Sequence, residues 1–136
     1  MFTRISRENH YSESLTVLSV LDFGQLPFQP KRIYWIDKLS SSQSRGFHAH
    51  KKLTQVLIVV RGRLRLRLKR GLTAFDVVID EADSHILIPA GTWRELYAES
   101  EETVVLVIAD SAYDEDDYIR NFTEYIEWWN GEFLEN

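Results

Sequence analysis

Between Arg63 and Lys69 the chain alternates without a break, with Leu64, Leu66 and Leu68 interleaved among Arg63, Arg65, Arg67 and Lys69. A period of two places the leucines on one face of an extended strand and the cations on the other, so the segment belongs in a sheet with one face turned to a core. Other β-rich runs occur at residues 15–21, 32–36, 53–60, 74–79, 85–88 and 104–108. Turn signals separate them: Gly24 with Pro27 and Pro30, the polar loop 40–44, Arg61-Gly62, and Pro89-Ala90-Gly91. Many short strands at such spacing predict a sandwich or small barrel. Near the end the period changes. Tyr118, Phe122, Tyr125 and Trp129 recur at helical spacing, with Asp116 and Asp117 where a helix N-terminus favours negative charge. This predicts a short C-terminal helix packed through its aromatic stripe.

At 136 residues with 44% hydrophobic content, the chain is expected to form one domain over residues 1–136 with its own core. It has no cysteine, which excludes thiolate metal sites, disulfides and cysteine nucleophiles and suits a reducing compartment. The formal charge of −5 argues against broad nucleic-acid binding. The N-terminal stretch lacks the apolar region of a signal peptide, and the apolar run 56–60 is too short to span a bilayer. A cytoplasmic protein is the expectation. The alternating cations read as a water-facing surface, with a phosphate-binding strip as the other possibility. The acidic run 114–117 reads as a hydrated helix entry or a dimer contact and lacks the spacing of a calcium loop.

The segment Gly46-Phe47-His48-Ala49-His50 carries the chemistry. On a strand, His48 and His50 project from one face. With Gln55 and Gly62 beyond them, the segment resembles the first motif of the cupin superfamily, where two histidines and a glutamate bind a metal. Pro89-Ala90-Gly91 resembles the second motif, which would place the fourth ligand at Arg94. Here an amide and a guanidinium stand in two ligand positions, and the guanidinium has no lone pair to give. No metal is therefore expected. Histidines without a metal are expected to titrate near neutral pH and to serve as proton carriers. His10 and His85 read as structural.

The flanking blocks extend the likeness. Arg32-Ile33-Tyr34-Trp35-Ile36, Arg45 through Leu53 with Gln55, Ile88-Pro89 with Trp93-Arg94-Glu95, and Ala109-Asp110 through Asp117-Tyr118-Ile119-Arg120 follow one another across roughly residues 30–125. In this order they resemble the thymidine-diphosphate-sugar 3,4-ketoisomerases. The resemblance implies an all-β, cupin-type jelly-roll β-barrel with a short C-terminal helix. It also implies a homodimer, no cofactor, and a dTDP-linked 4-oxo-6-deoxy sugar as substrate. The 3-oxo product would pass to an aminotransferase that makes a 3-amino sugar, for lipopolysaccharide or another surface glycan. His48 and His50 would share the proton transfer, with His48 favoured as shuttle because the family pairs it with Tyr34 on a neighbouring strand. Arg45, Arg94, Lys51 and Gln55 would contact substrate; Trp93 or Tyr97 would stack on thymine, with packing as the other and commoner role of such rings. A sugar 3,5-epimerase, a metal-dependent cupin oxygenase and a non-catalytic nucleotide-sugar-binding cupin are the alternatives. Arg94 in its block points to a gluco product, but Ser12-Glu13-Ser14 departs from the family pattern, so the configuration at C4 stays open.

Overall fold

A computed structural model describes residues 2–134. Among these, twelve strands form in chain order: β1 (Arg4–Ile5), β2 (Glu8–Tyr11), β3 (Val17–Val20), β4 (Arg32–Leu39), β5 (Arg45–His50), β6 (Gln55–Arg61), β7 (Arg63–Arg70), β8 (Thr73–Asp80), β9 (His85–Ile88), β10 (Trp93–Ala98), β11 (Thr103–Ala109) and β12 (Tyr118–Ile119). A helix, α1 (Phe122–Trp129), follows. The strands build two five-stranded sheets, β1-β9-β6-β11-β4 and β12-β5-β10-β7-β8, plus the separate β2-β3 hairpin. From β4 to β11 the chain crosses repeatedly between the sheets, and every pairing is antiparallel. This is the double-sheet jelly roll. The sheets face each other as layers and are not closed into a ring.

Strand β7 shows why. Leu64, Leu66 and Leu68 are completely buried and meet Leu57, Val59, Ile86, Ile88 and Val107 of the facing sheet. Each such leucine contributes about 1.5–3 kcal/mol of burial free energy. On the outer face Arg63 pairs with Glu99 at 3.6 Å, Arg67 with Asp76 at 3.2 Å and Lys69 with Glu95 at 3.6 Å. The cations are thus balanced by neighbouring carboxylates on a surface away from the interior.

Three sequence expectations change. The first strand of the run 15–21 begins only at Val17, because Leu15 sits in the hairpin turn with φ 66°. Residues 93–98, outside the β-rich runs read from the sequence, form β10; α1 covers part of its outer face and leaves all its residues except Tyr97 buried, so no alternation marks it. Finally, Tyr118 lies in β12, and the helix starts after Asn121, whose Oδ1 caps Glu124 N–H at 3.0 Å. Asp116 and Asp117 therefore precede the helix in a 3-10 turn. The aromatic stripe does pack as core. Tyr125 is fully buried among Phe122, Trp128 and Trp129, against Trp93. Its hydroxyl accepts from Gly71 N–H at 3.0 Å, and a Cβ at Gly71 would lie 2.5 Å from the Trp129 ring.

Candidate active site

A cleft of about 590 Å³ opens between the sheets. One wall comes from β4, β6 and β11 through Arg32, Tyr34, Gln55, Leu57 and Val107, and the other from β5, β10 and β12 through Arg45, His48, Arg94, Leu96 and Tyr118. Tyr34 and His48 therefore face each other across the sandwich. The neighbouring-strand expectation is corrected: β4 pairs with β11, and β5 with β10 and β12.

A β-bulge aims His48. Arg94 pairs with His48 and Glu95 with Gly46, so Phe47 is the extra residue, at φ 56°. Gly46 has φ 93°, and a Cβ there would come within 2.9 Å of the Arg94 carbonyl oxygen. The bulge sets His48 directly across the ladder from Arg94. The imidazoles of His48 and His50 meet edge to face at 4.9 Å, and both contact the Tyr118 ring, at 5.0 and 4.3 Å.

The two histidines differ in support. His50, 1% exposed, lies within 3.1 Å of Asp117 Oδ2 through Nδ1. A carboxylate accepts only, so Nδ1 carries the proton and Nε2 holds the lone pair. Asp117 also accepts from Lys52 N–H at 2.7 Å and Leu53 N–H at 3.3 Å, which fixes it in place. Among the described residues neither ring nitrogen of His48 has a well-formed hydrogen bond, although the Gly46 backbone lies close enough to favour its protonated form. His48 lines the cleft, and His50 stands behind it, oriented by Asp117.

Arg94 fills the centre. Its guanidinium is 2% exposed, donates to Gln55 Oε1 and to the Thr92 carbonyl at 3.0 Å, and has no carboxylate within ion-pair distance among the described residues. Burial lowers its pKa to about 10, against the favourable fields of Tyr34, Tyr118 and Asp117. It remains a cation at neutral pH. Gln55 in turn donates from Nε2 to the Tyr34 hydroxyl at 3.3 Å. These residues do not fit a divalent metal, because the Arg94 cation projects into the space where its ligands would converge. No group of three or more His, Cys, Asp or Glu side chains converges among the described residues.

Burial, then the Arg94 charge, pushes both His48 and His50 down to about 3. The expectation of near-neutral titration is therefore overturned, and both rings are neutral at pH 7. Burial and then Arg7 bring His85 down to about 4. All three imidazoles resist protonation more in the fold than in the open chain, where the ordinary value is 6.5. Their contribution to stability is complete above about pH 6.5 and is lost progressively as pH falls towards 3. Thermal melts should show the midpoint dropping between pH 7 and pH 5, with roughly 1–2 kcal/mol lost per buried histidine. A midpoint that stays level across that range would contradict this environment.

Other sequence candidates fall elsewhere. Trp93 points away from the cleft because its neighbour Arg94 points in. Its indole packs on Phe122 and Tyr125 and donates to Glu95 Oε2 at 2.9 Å, so of its two expected roles, thymine stacking and packing, the structure shows packing. Tyr97 is on the same outer face, donating to Glu95 Oε1 at 2.6 Å. Lys51 is exposed in the turn after β5 and is absent from the cleft lining. Arg45 is at the mouth. Arg32 and Arg120 join it there, over the rings of Tyr34 at 4.6 Å and Tyr118 at 4.2 Å. Asp117, Tyr118, Arg32 and Arg120 are not among the site residues read from the sequence, where Tyr118 and Asp117 stood as helix features, although all four lie in the blocks that carried the family likeness.

The family model described as FdtA: WxcM-like, C-terminal matches residues 2–130. The chain belongs to this family. A TDP-4-oxo-6-deoxy-alpha-D-glucose-3,4-oxoisomerase from Aneurinibacillus thermoaerophilus is 35% identical over 114 residues, 82% of each chain. A mutant of the 3,4-ketoisomerase QdtA from Thermoanaerobacterium thermosaccharolyticum, crystallised in complex with TDP-4-keto-6-deoxyglucose, superposes with a TM-score of 0.89 at 33% identity, covering 98% of this chain and 97% of that one. The WlaRB TDP-quinovose 3,4-ketoisomerase from Campylobacter jejuni gives 0.83 at 30% identity, over 93% and 97%. A 4-keto-6-deoxy sugar epimerase from Streptomyces spheroides, 12% identical with a TM-score of 0.70, shares the fold.

Proposed function

We propose that the protein is a cofactor-independent 3,4-ketoisomerase that converts dTDP-4-oxo-6-deoxy-glucose to a dTDP-3-oxo-6-deoxy-hexose. The observation that carries this is a pair of neutral imidazoles, His50 buried and His48 half-buried, beside a buried cation with no counter-ion among the described residues. Moving a ketone from C4 to C3 removes the C3 proton, leaves an enediolate, and returns a proton to C4. Atoms and electrons balance within the substrate. His48 takes the C3 proton while the electron pair forms C3=C4 and charge passes to O4. Arg94 is preorganised to meet that charge, and Tyr34 to donate to the oxygen. The new anion offsets the Arg94 field, which after burial is the second cause that holds the imidazoles neutral, so His48 becomes a stronger base as the reaction advances. Proton return to C4 and loss of the O3 proton give the 3-ketone. Asp117 holds His50 in one tautomer, ready to share the charge.

Arg32 and Arg45 supply positive charge at the mouth for the diphosphate, while the fork of Arg120 is held by Glu115 at 2.9 Å. Incubation with dTDP-4-oxo-6-deoxy-glucose, aminotransferase trapping and NMR of the amino sugar tests the assignment and reads the C4 configuration. A 3-amino product is expected. Proton exchange at C3 and C5 with the ketone still at C4 would mean an epimerase, and binding without conversion would mean a non-catalytic module.

We also infer a cytoplasmic homodimer feeding a 3-aminotransferase in surface-glycan synthesis. The hairpin exposes Tyr11, Val17 and Leu18, and the adjoining outer sheet face exposes Ile33, Trp35 and Val60, an apolar expanse suited to a second copy. Sedimentation should give twice the chain mass, and a monomer at micromolar concentration would exclude it. Among the described residues no helix is long and apolar enough to cross a membrane.

A further inference from the structure

Gln55 is placed where its amide can fix the direction of a proton. Three observations combine. First, the guanidinium of Arg94 is a donor only, so the Gln55 atom facing it must be the carbonyl Oε1. Second, with Oε1 committed, Nε2 is the atom that reaches the Tyr34 hydroxyl at 3.3 Å, and the phenol oxygen must accept. Third, the Tyr34 hydroxyl donates to no protein group among the described residues, although the side chain lines the cleft. Gln55 itself is 2% exposed, so no solvent rearrangement competes with this order.

We propose that Gln55 is a positioning residue that leaves the Tyr34 O–H directed at the substrate oxygen and passes the polarising field of Arg94 to it. The inference rests on the reading of Tyr34 as the proton donor. It accounts for an amide at this position. A carboxylate of the same length would accept the Tyr34 proton and pair with Arg94. Both the direction of donation and the uncompensated cation would then be lost. An amide, carrying a donor and an acceptor on one rigid plane, preserves both. Gln55 also draws charge towards the phenol oxygen, as does the Arg94 field, and both oppose the upward push that burial exerts on the Tyr34 pKa.

The test compares Gln55→Glu, Gln55→Met and Tyr34→Phe with the wild type by steady-state kinetics. It adds a pH titration of ¹³Cζ-tyrosine-labelled protein, with Tyr34→Phe assigning the resonance. Gln55→Glu should lower kcat by about 10²-fold with KM changed by less than about threefold, on the scale of one lost transition-state donor. Its Tyr34 resonance should titrate at higher pH than in the wild type. Gln55→Met keeps the volume and removes both polar atoms, so it decides the matter if the glutamate variant does not fold. It should lower kcat about tenfold and also raise the Tyr34 titration. An unchanged kcat or an unchanged Tyr34 titration in a folded Gln55 variant overturns the inference while Tyr34→Phe is impaired. If Tyr34→Phe itself turns over normally, the Tyr34 reading fails, and the inference falls with it.

Discussion

Replacing His48 by asparagine should reduce turnover by about 10³-fold or more, near the upper range for removing a general base. The protein should remain folded, because among the described residues neither ring nitrogen of His48 has a well-formed hydrogen bond to lose. Asparagine is smaller but polar, and the position lines an open cleft. The variant should also lose less stability than the wild type on going from pH 7 to pH 5, because one imidazole held down to about 3 has been removed. Exchange of the C3 hydrogen in D₂O separates base loss from other defects: it should stop in His48→Asn while the variant still binds the nucleotide sugar. His50→Asn should also be impaired, since the Asp117 contact at 3.1 Å would no longer orient an imidazole beside His48. Normal turnover in both variants would remove the histidines from the mechanism. Normal turnover in His48→Asn alone would move the base to His50.

Much of this arrangement was legible in the chain. The Leu64–Lys69 alternation defined a one-sided strand, and His48 with His50 defined one face of another, because a period of two needs only local geometry. Gln55 and Arg94 signalled that a metal site had changed its chemistry. What escaped has a common cause. Strand β10 is buried on both faces, which erases alternation, and Tyr34 shares a cleft with His48 only because two sheets stack. Asp117 looked like a helix-entry charge until the β12 pairing carried it back to His50. The histidine protonation state was also beyond local reading, since it follows from desolvation and from a guanidinium delivered by a strand more than forty residues away in sequence.

Arg94→Met should separate stability from activity. A buried guanidinium such as Arg94, with no carboxylate partner among the described residues, carries a desolvation penalty of several kcal/mol that two neutral acceptors offset only in part. Methionine removes that penalty and fills similar space, but leaves Gln55 Oε1 and the Thr92 carbonyl without their donor, at about 1–3 kcal/mol each. The opposing effects are of similar size, so the melting midpoint at pH 7 should move by only a few degrees. At pH 5 the variant should gain relative to the wild type, because Arg94 is the second cause, after burial, that depresses both His48 and His50. Catalysis has no such compensation. Without the fixed cation, the enediolate forms in a cleft whose remaining donors are neutral or at the mouth, and kcat should fall by about 10²–10³-fold. Melts at both pH values and single-turnover rates check the pair of outcomes. A variant that unfolds would mean that Arg94 serves the fold, and one that retains kcat would mean that the buried charge is not directed at the transition state.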